Sequence, residues 1–155
     1  MKVCLAGQGA FGIKHLEAMA NIPGIEVVSL AGGSVDSTRE VAEKWKIPHY
    51  STDLAECLAQ PGVEAVILTT PTQMHAAQAI QCMRAGKHVM VEIPIADSLA
   101  DSEAICKVQQ ETGLIAMGGH TRRFNPSHQW IRQRILRGEL TIQSMDVQTF
   151  FFRRT

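Results

Sequence analysis

Residues Gly7-Gln8-Gly9-Ala10-Phe11-Gly12 form a G-x-G-x-x-G run, set directly after the β-prone stretch Lys2 to Ala6 and directly before Ile13, Leu16, Met19 and Ala20, which recur at helical spacing. Nothing else in the chain restricts the fold as much, because a strand, a glycine turn and a helix in that order open a βαβ unit. There the first glycine makes the tight turn, the second lets backbone approach a pyrophosphate, and the third lets helix and strand pack closely. The helix N-terminus offers its N–H groups to the anion. The spacing predicts a dinucleotide site; the competing reading is a glycine-rich turn that binds nothing.

The rest of the chain keeps this rhythm. Short β-like runs near residues 1–6, 25–31, 64–69, 88–92 and 114–118, with a weaker one near 47–50, alternate with helical patterns. That alternation predicts an α/β fold, a Rossmann-type doubly wound parallel sheet. Helix ends are signalled by Ser37-Thr38-Arg39-Glu40 as a capping box, by Thr72 as a cap ahead of Ala76, Ala79, Ile80 and Met83 with Gly86 closing that helix, and by Ser98 followed by Asp101. Asn125-Pro126 places a capping residue before a proline at the first helical position, and Gly138 stops that helix after Arg137. From Thr141 to Phe152 a long β-prone run carries Ile142, Met145, Val147, Phe150, Phe151 and Phe152 and ends at Arg153-Arg154-Thr155. An apolar strand of that length needs a partner. It is expected to open a second domain; the alternative pairs it with the edge of the first sheet or with a second copy of the chain.

The 155 residues suffice for one domain with a proper core. With 45% hydrophobic and 19% charged residues, and 15 basic against 15 acidic, disorder, collagen-like repetition and a polycationic nucleic-acid grip are poorly supported. No apolar run approaches the roughly 18 residues of a membrane span. Met1 to Ala6 leads into the glycines without the apolar stretch and cleavage site of a secretory signal, so a cytoplasmic location is expected. Cys4, Cys57, Cys82 and Cys106 form no C-x-x-C pair and read as reduced core residues. No His, Asp and Cys set has metal-ligand spacing, so no metal is expected.

For NAD, an Asp or Glu usually sits about 20 residues beyond the loop and accepts from the ribose 2′-OH. Here the strand runs out as Leu30-Ala31-Gly32-Gly33-Ser34, with no carboxylate to repel a 2′-phosphate, while Ser34 and Arg39 stand where they could donate to one. NADP is therefore favoured, with NAD the alternative.

Three later segments follow the glycine loop: Thr70-Pro71-Thr72-Gln73-Met74-His75, then Gly86-Lys87-His88-Val89-Met90-Val91-Glu92-Ile93-Pro94, then Arg123-Phe124-Asn125-Pro126. In that order they resemble the glucose–fructose oxidoreductase / inositol dehydrogenase (Gfo/Idh/MocA) family over essentially the whole chain. The resemblance implies an N-terminal Rossmann domain, here residues 1–120, and a C-terminal α/β substrate domain of which residues 121–155 would be the linking helix and first strand. It implies cofactor contacts from Thr70, Pro71 and Thr72, and from Glu92, Ile93 and Pro94, with Glu92 on the nicotinamide ribose and Pro94 holding a turn where a cis peptide is cheap. The family pattern at this last site is Glu-Lys-Pro, whose lysine helps handle the substrate proton; Ile93 stands in its place and that role is lost. The proton acceptor is implied to be a histidine or aspartate of the second domain, expected beyond Thr155, so no catalytic residue is identified.

A narrower likeness runs through Val91 to Asp97, Gly119 to His128 and Phe151 to Arg154. It is to family members that oxidise, with NADP, the cyclic hemiacetal of a dicarboxylated ring-cleavage aldehyde. Such chemistry suits the missing lysine, because a hemiacetal hydroxyl gives up its proton more readily than a simple alcohol. Arg122, Arg123, Arg153 and Arg154 are then candidates for bidentate pairs with substrate carboxylates, against the reading of a solvated basic edge. His75, just past a strand end where an α/β sheet opens its crevice, is a cofactor-side candidate, and His120 a substrate-side one. His15, His49, His88 and His128 read as structural. The expected partner is a small carboxylated aldehyde or hemiacetal, with neither nucleic acid nor membrane, and the full-length protein is expected to be a homo-oligomer. A sugar or cyclitol dehydrogenase and a non-catalytic dinucleotide-binding module stay open, and the 155-residue chain alone is expected to be inactive.

Overall fold

In the computed structural model, which describes residues 1–148, Lys2–Ala6 forms strand β1 and its four apolar residues are all buried. An apolar strand buried on both faces belongs inside a parallel sheet covered by helices on each side. Five more strands follow: β2 (Glu26–Ala31), β3 (His49–Ser51), β4 (Val63–Leu68), β5 (His88–Val91) and β6 (Ala116–Gly118). The helices between them are α1 (Ala10–Met19), α2 (Val35–Trp45), α3 (Leu54–Leu58), α4 (Thr72–Arg84) and α5 (Leu99–Thr112). All strand pairs are parallel and the order across the sheet is β3-β2-β1-β4-β5-β6. The chain winds outward from β1 to β3, returns to lay β4 beside β1, and winds outward the other way. The strand order therefore reverses at β1 and β4, and the carboxyl ends of those strands are where a doubly wound sheet opens its ligand crevice.

The period-2 alternation of β1 splits the core into two layers. Val3 and Leu5 pack with Leu16 and Met19 of α1 and with Ala42 and Ile47, while Cys4 and Ala6 pack on the other face with Leu54, Cys57, Ala79, Cys82 and Met83. Ala20, placed by its spacing on the apolar face of α1, is instead that helix's exposed C-cap.

Two helix starts differ from the sequence signals. The N-cap of α2 is Ser34, three residues before the capping box at Ser37. The Ser37 hydroxyl sits inside the first turn and bonds the side chains of Gln8 and Ser34, so it is not free to cap. The N-cap of α4 is Pro71, with Thr72 as the first helical residue. Ser98 does cap α5, accepting from the Asp101 N–H.

The chain divides into two units, Met1–Gly119 and His120–Thr155. In the second, a 3₁₀ turn (Thr121–Phe124) precedes α6 (Pro126–Leu136), capped by Asn125 with Pro126 in the first turn, and Gly138 follows its end at positive φ. α6 buries none of its residues within this unit. The expected strand from Thr141 is not seen among the described residues: 141–148 is irregular. A β run without a neighbouring strand has nothing to pair its backbone groups with. Its remainder, Phe150 to Phe152, lies outside the described residues. Among the described residues no helix is long and apolar enough to cross a membrane.

Candidate functional site

The crevice at the ends of β1 and β4 is built on the glycine loop. Gly7 turns the chain at φ +106° and its N–H donates to the Ala31 carbonyl at 2.8 Å. A Cβ on Gly12 would overlap the Gly7 carbonyl oxygen, so this close approach of helix to loop requires glycine. Gly9 faces open space, with nothing within 4 Å of where its Cβ would stand, and as N-cap of α1 it supplies no side chain to that helix's first N–H groups. Backbone donors around an open hollow fit a pyrophosphate. The cleft measures about 520 Å³, and Gly7, Gln8, Gly9, Ala10, Phe11, Gly32, Gly33, Thr70 and Pro71 line it. Met74 of the second motif segment also lines it, as do Thr69 and Gln78, which carried no motif. The Thr69 hydroxyl lies 2.9 Å from both the Ala6 and Gly7 carbonyl oxygens, which fastens the loop to the end of β4. Its position next to the glycine loop follows from β4 pairing with β1, which sequence spacing alone does not give.

At the β2 end, the Gly33 N–H donates to Gln8 Oε1 at 3.2 Å, and Gln8 Nε2 donates to Ser37 Oγ at 2.9 Å. Ser34 and Ser37 hydroxyls are 2.6 Å apart. Arg39, the other candidate for a 2′-phosphate, is paired at 2.9 Å with Asp36, one helical turn away and well exposed.

The two remaining segments meet around His75. Its side chain is buried, Nδ1 2.8 Å from the Pro94 carbonyl oxygen and Nε2 2.7 Å from that of Thr70. Both ring nitrogens are occupied by backbone, so His75 ties the β4–α4 loop to the turn after β5. Thr72 opens α4 behind that tie. Ile93 and Pro94 are exposed and joined by a cis peptide. Glu92 is buried, and His15 Nε2 reaches it from α1 at 2.7 Å. His15 thus holds a site candidate rather than simply packing, a pairing that spans 77 residues and leaves no spacing signal. His49 and His88 bond Ser29 and the Ile115 N–H respectively.

In the second unit, Arg122 and Arg123 line a concavity of about 690 Å³ together with Phe124, His128, Gln129, Arg132 and Gln133. His120 is not among its walls; it precedes the 3₁₀ turn and is exposed. His128, which ends the Gly119 to His128 segment and read as structural, lines it too, and Arg132, which no motif marked, stands one helical turn beyond it on α6. Arg153 and Arg154 lie outside the described residues.

Cys4, Cys57 and Cys82 are buried, whereas Cys106 on α5 is exposed, a correction to its placement in the core. The hydrogen bond to Cys57 and burial hold the Cys4 thiol above its ordinary value, and burial pushes Cys82 up to about 12. Among the described residues no group of three or more His, Cys, Asp or Glu is placed to hold a metal ion.

Residues 1–120 match a family model described as an oxidoreductase family with an NAD-binding Rossmann fold, and residues 126–155 match a model of the C-terminal region of bacterial oxidoreductases. The chain is 62% identical over 154 residues to 4-carboxy-2-hydroxymuconate-6-semialdehyde dehydrogenase of Sphingobium sp. strain SYK-6, covering 99% of this chain and 49% of that enzyme. It is 33% identical over 141 residues to scyllo-inositol 2-dehydrogenase (NAD(+)) of Bacillus subtilis, covering 90% of this chain and 41% of that enzyme. The crystal structure of scyllo-inositol dehydrogenase from Lactobacillus casei with NAD(H) and scyllo-inositol bound shares the fold, with a TM-score of 0.85 at 22% identity over 90% of this chain and 42% of that one. The chain spans about half the length of the curated relatives it matches.

Proposed function

Because the chain belongs to the Gfo/Idh/MocA oxidoreductase family with its NAD-binding Rossmann fold, we propose that it is the cofactor-binding half of an NADP-dependent dehydrogenase. The substrate is the cyclic hemiacetal of 4-carboxy-2-hydroxymuconate-6-semialdehyde and the product 2-pyrone-4,6-dicarboxylate. The observation that carries this reading is the 62% identity to the Sphingobium enzyme over 99% of the chain. In this reading residues 1–120 form the dinucleotide-binding domain and residues 121–155 begin the substrate domain.

When bound, the dinucleotide accepts the hydride. The chain's own residues do the rest. Gly9 and the start of α1 hold the pyrophosphate through backbone N–H groups, Gly7 turns the chain beneath it with its own N–H on Ala31, and Gly12 lets the helix come that close. Ser34 and Arg39 take the 2′-phosphate, Arg39 by exchanging Asp36 for the phosphate. Glu92, fixed by His15, binds the nicotinamide ribose. Thr70, Pro71, Thr72, Ile93 and Pro94 wall the nicotinamide end, with His75 setting the distance between those loops. Arg122 and Arg123, joined by Arg153 and Arg154, bind the substrate carboxylates, and His120 stands on the substrate side.

Calorimetric titration of the chain with NADPH and with NADH tests the cofactor. Tighter binding of NADPH is expected; preference for NADH overturns the NADP assignment, and binding of neither overturns the site. For the substrate, the whole enzyme is assayed with the semialdehyde and with scyllo-inositol while NADPH absorbance is followed. Turnover of the polyol alone overturns the semialdehyde reading.

A further inference from the structure

In NAD-binding Rossmann folds the discriminating carboxylate hangs from the end of the second strand. Position 32 cannot carry one here. A Cβ on Gly32 would overlap the Thr38 hydroxyl and come within 2.8 Å of Gln8 Oε1. The space is taken by the Thr38 hydroxyl and flanked by a side chain from the other loop, the carboxamide of Gln8.

That carboxamide is held in one orientation. The Gly33 N–H can only donate, so the amide oxygen must face it and the NH₂ must face Ser37. Ser37 Oγ accepts from Gln8 Nε2 and lies 2.6 Å from Ser34 Oγ, a hydroxyl pair in which either partner can donate to the other. The Thr38 hydroxyl donates to the Ser34 carbonyl and fixes the backbone of that same residue. The amide thus feeds a pair of hydroxyls that share one hydrogen bond between them, which leaves one proton of the pair to donate onward. Donors aligned in series polarise one another, and an anion is the acceptor such a chain suits.

We propose that Gln8 sets the dinucleotide preference of this site: its neutral carboxamide stands beside the blocked place of the discriminating carboxylate and orients the Ser37–Ser34 hydroxyl pair, whose one remaining proton is donated to a 2′-phosphate. This rests on the NADP reading above. Gln8 is then a specificity residue that acts partly through two serines, and the middle residue of the G-x-G turn, ordinarily free to vary, becomes its determinant.

The prediction is a swap of preference from one added charge. In Gln8→Glu the carboxylate can no longer donate to Ser37; it accepts from it, takes up the proton the serine pair had to spare, and places negative charge beside the 2′-phosphate. A carboxylate in that place is also the natural acceptor for a ribose diol. The chain, Gln8→Glu and Gln8→Met are titrated with NADPH and with NADH, and each protein's melting curve is recorded. Gln8→Glu is expected to lose about tenfold or more in NADPH affinity and to hold or gain affinity for NADH. Gln8→Met, neutral and of similar length, is expected to lose several-fold on NADPH with no gain on NADH. An NADPH to NADH ratio in folded Gln8→Glu within about twofold of the original overturns the inference and leaves the NADP reading standing. Should Gln8→Glu fail to melt cooperatively, undiminished NADPH affinity in Gln8→Met overturns it. Binding of neither dinucleotide by the unmodified chain, or preference for NADH, overturns the NADP reading and this inference together.

Discussion

His15 Nε2 lies 2.7 Å from Glu92 Oε1, and the two side chains are 17% and 11% exposed. The contact pins the helix that follows the glycine loop to the end of β5, on the far side of β4. Glu92 also crowds Gly119, where a Cβ would come 3.2 Å from its carboxyl carbon. His15→Ala removes the partner of a largely buried carboxylate, which costs about 1–3 kcal/mol. The melting temperature should fall by several degrees, and His15→Gln, which can still donate from that position, should recover much of the loss. Equal losses in the two variants would show that the imidazole matters for its volume and not for its hydrogen bond.

Gly12 and Gly9 separate folding from binding. Gly12→Ala drives a methyl group into the Gly7 carbonyl, so loop or helix must move, at a cost of about 1–3 kcal/mol. Gly9→Ala meets nothing and sits at φ −71°, ψ −173°, which any residue adopts. Thermal melts should show Gly12→Ala destabilised and Gly9→Ala close to the unmodified chain. Dinucleotide titrations should show both impaired, Gly9→Ala by about tenfold or more because its methyl takes the place of the phosphate. Full affinity in Gly9→Ala would mean that no pyrophosphate approaches that backbone.

The parallel sheet was readable from sequence because strands buried on both faces appear as continuous apolar runs, of which Val3-Cys4-Leu5-Ala6 is the clearest. The glycine loop was readable because close packing admits no other residue at Gly12. Contacts between segments distant in sequence were not. Ser37 looked like a cap because nothing local reveals that Gln8, 29 positions earlier, claims its hydroxyl. Thr69 gains its role from the pairing of β4 with β1. Cys106 sits in an apolar-looking stretch, but only Ile105 and Val108 of α5 turn fully inward. The β-prone run after Thr141 shows the converse limit, since propensity names a strand and only a partner makes one.

Thr69→Val is the sparest test of how the crevice is fastened. The two side chains are close in shape, and the exchange deletes the hydroxyl shared between the Ala6 and Gly7 carbonyl oxygens. The loss of such a hydrogen bond costs about 1 kcal/mol. Hydrogen exchange at the Gly7 amide, which bonds Ala31, should speed up in the variant, while amides in α5 keep their protection. Uniformly faster exchange would mean that Thr69 supports the domain as a whole.

Two of the three buried thiols, Cys82 and Cys4, give the fold an alkaline weakness with a definite sign, while Cys57, lowered to about 6 by its hydrogen bond with Cys4, adds stability only as pH rises toward 9.0. Cys82 is raised from 9.0 to about 12 by burial, and Cys4 is shifted the same way by its hydrogen bond to Cys57 and by burial. A group whose folded value lies above its unfolded one contributes its full stability while the pH is below the unfolded value. Above pH 9.0 the unfolded chain ionises while the folded Cys82 keeps its proton, so stability falls as pH rises toward 12. Each such proton contributes a slope of about 1.4 kcal/mol per pH unit. Urea unfolding at several values well above pH 9.0, where Cys57 is ionised folded and unfolded alike, should therefore show stability declining. Cys82→Ala should start lower, by about 1–2 kcal/mol for the smaller side chain, and decline less steeply, keeping the slope that belongs to Cys4. Parallel curves for the two proteins would mean that Cys82 ionises in the folded state as readily as in the unfolded one.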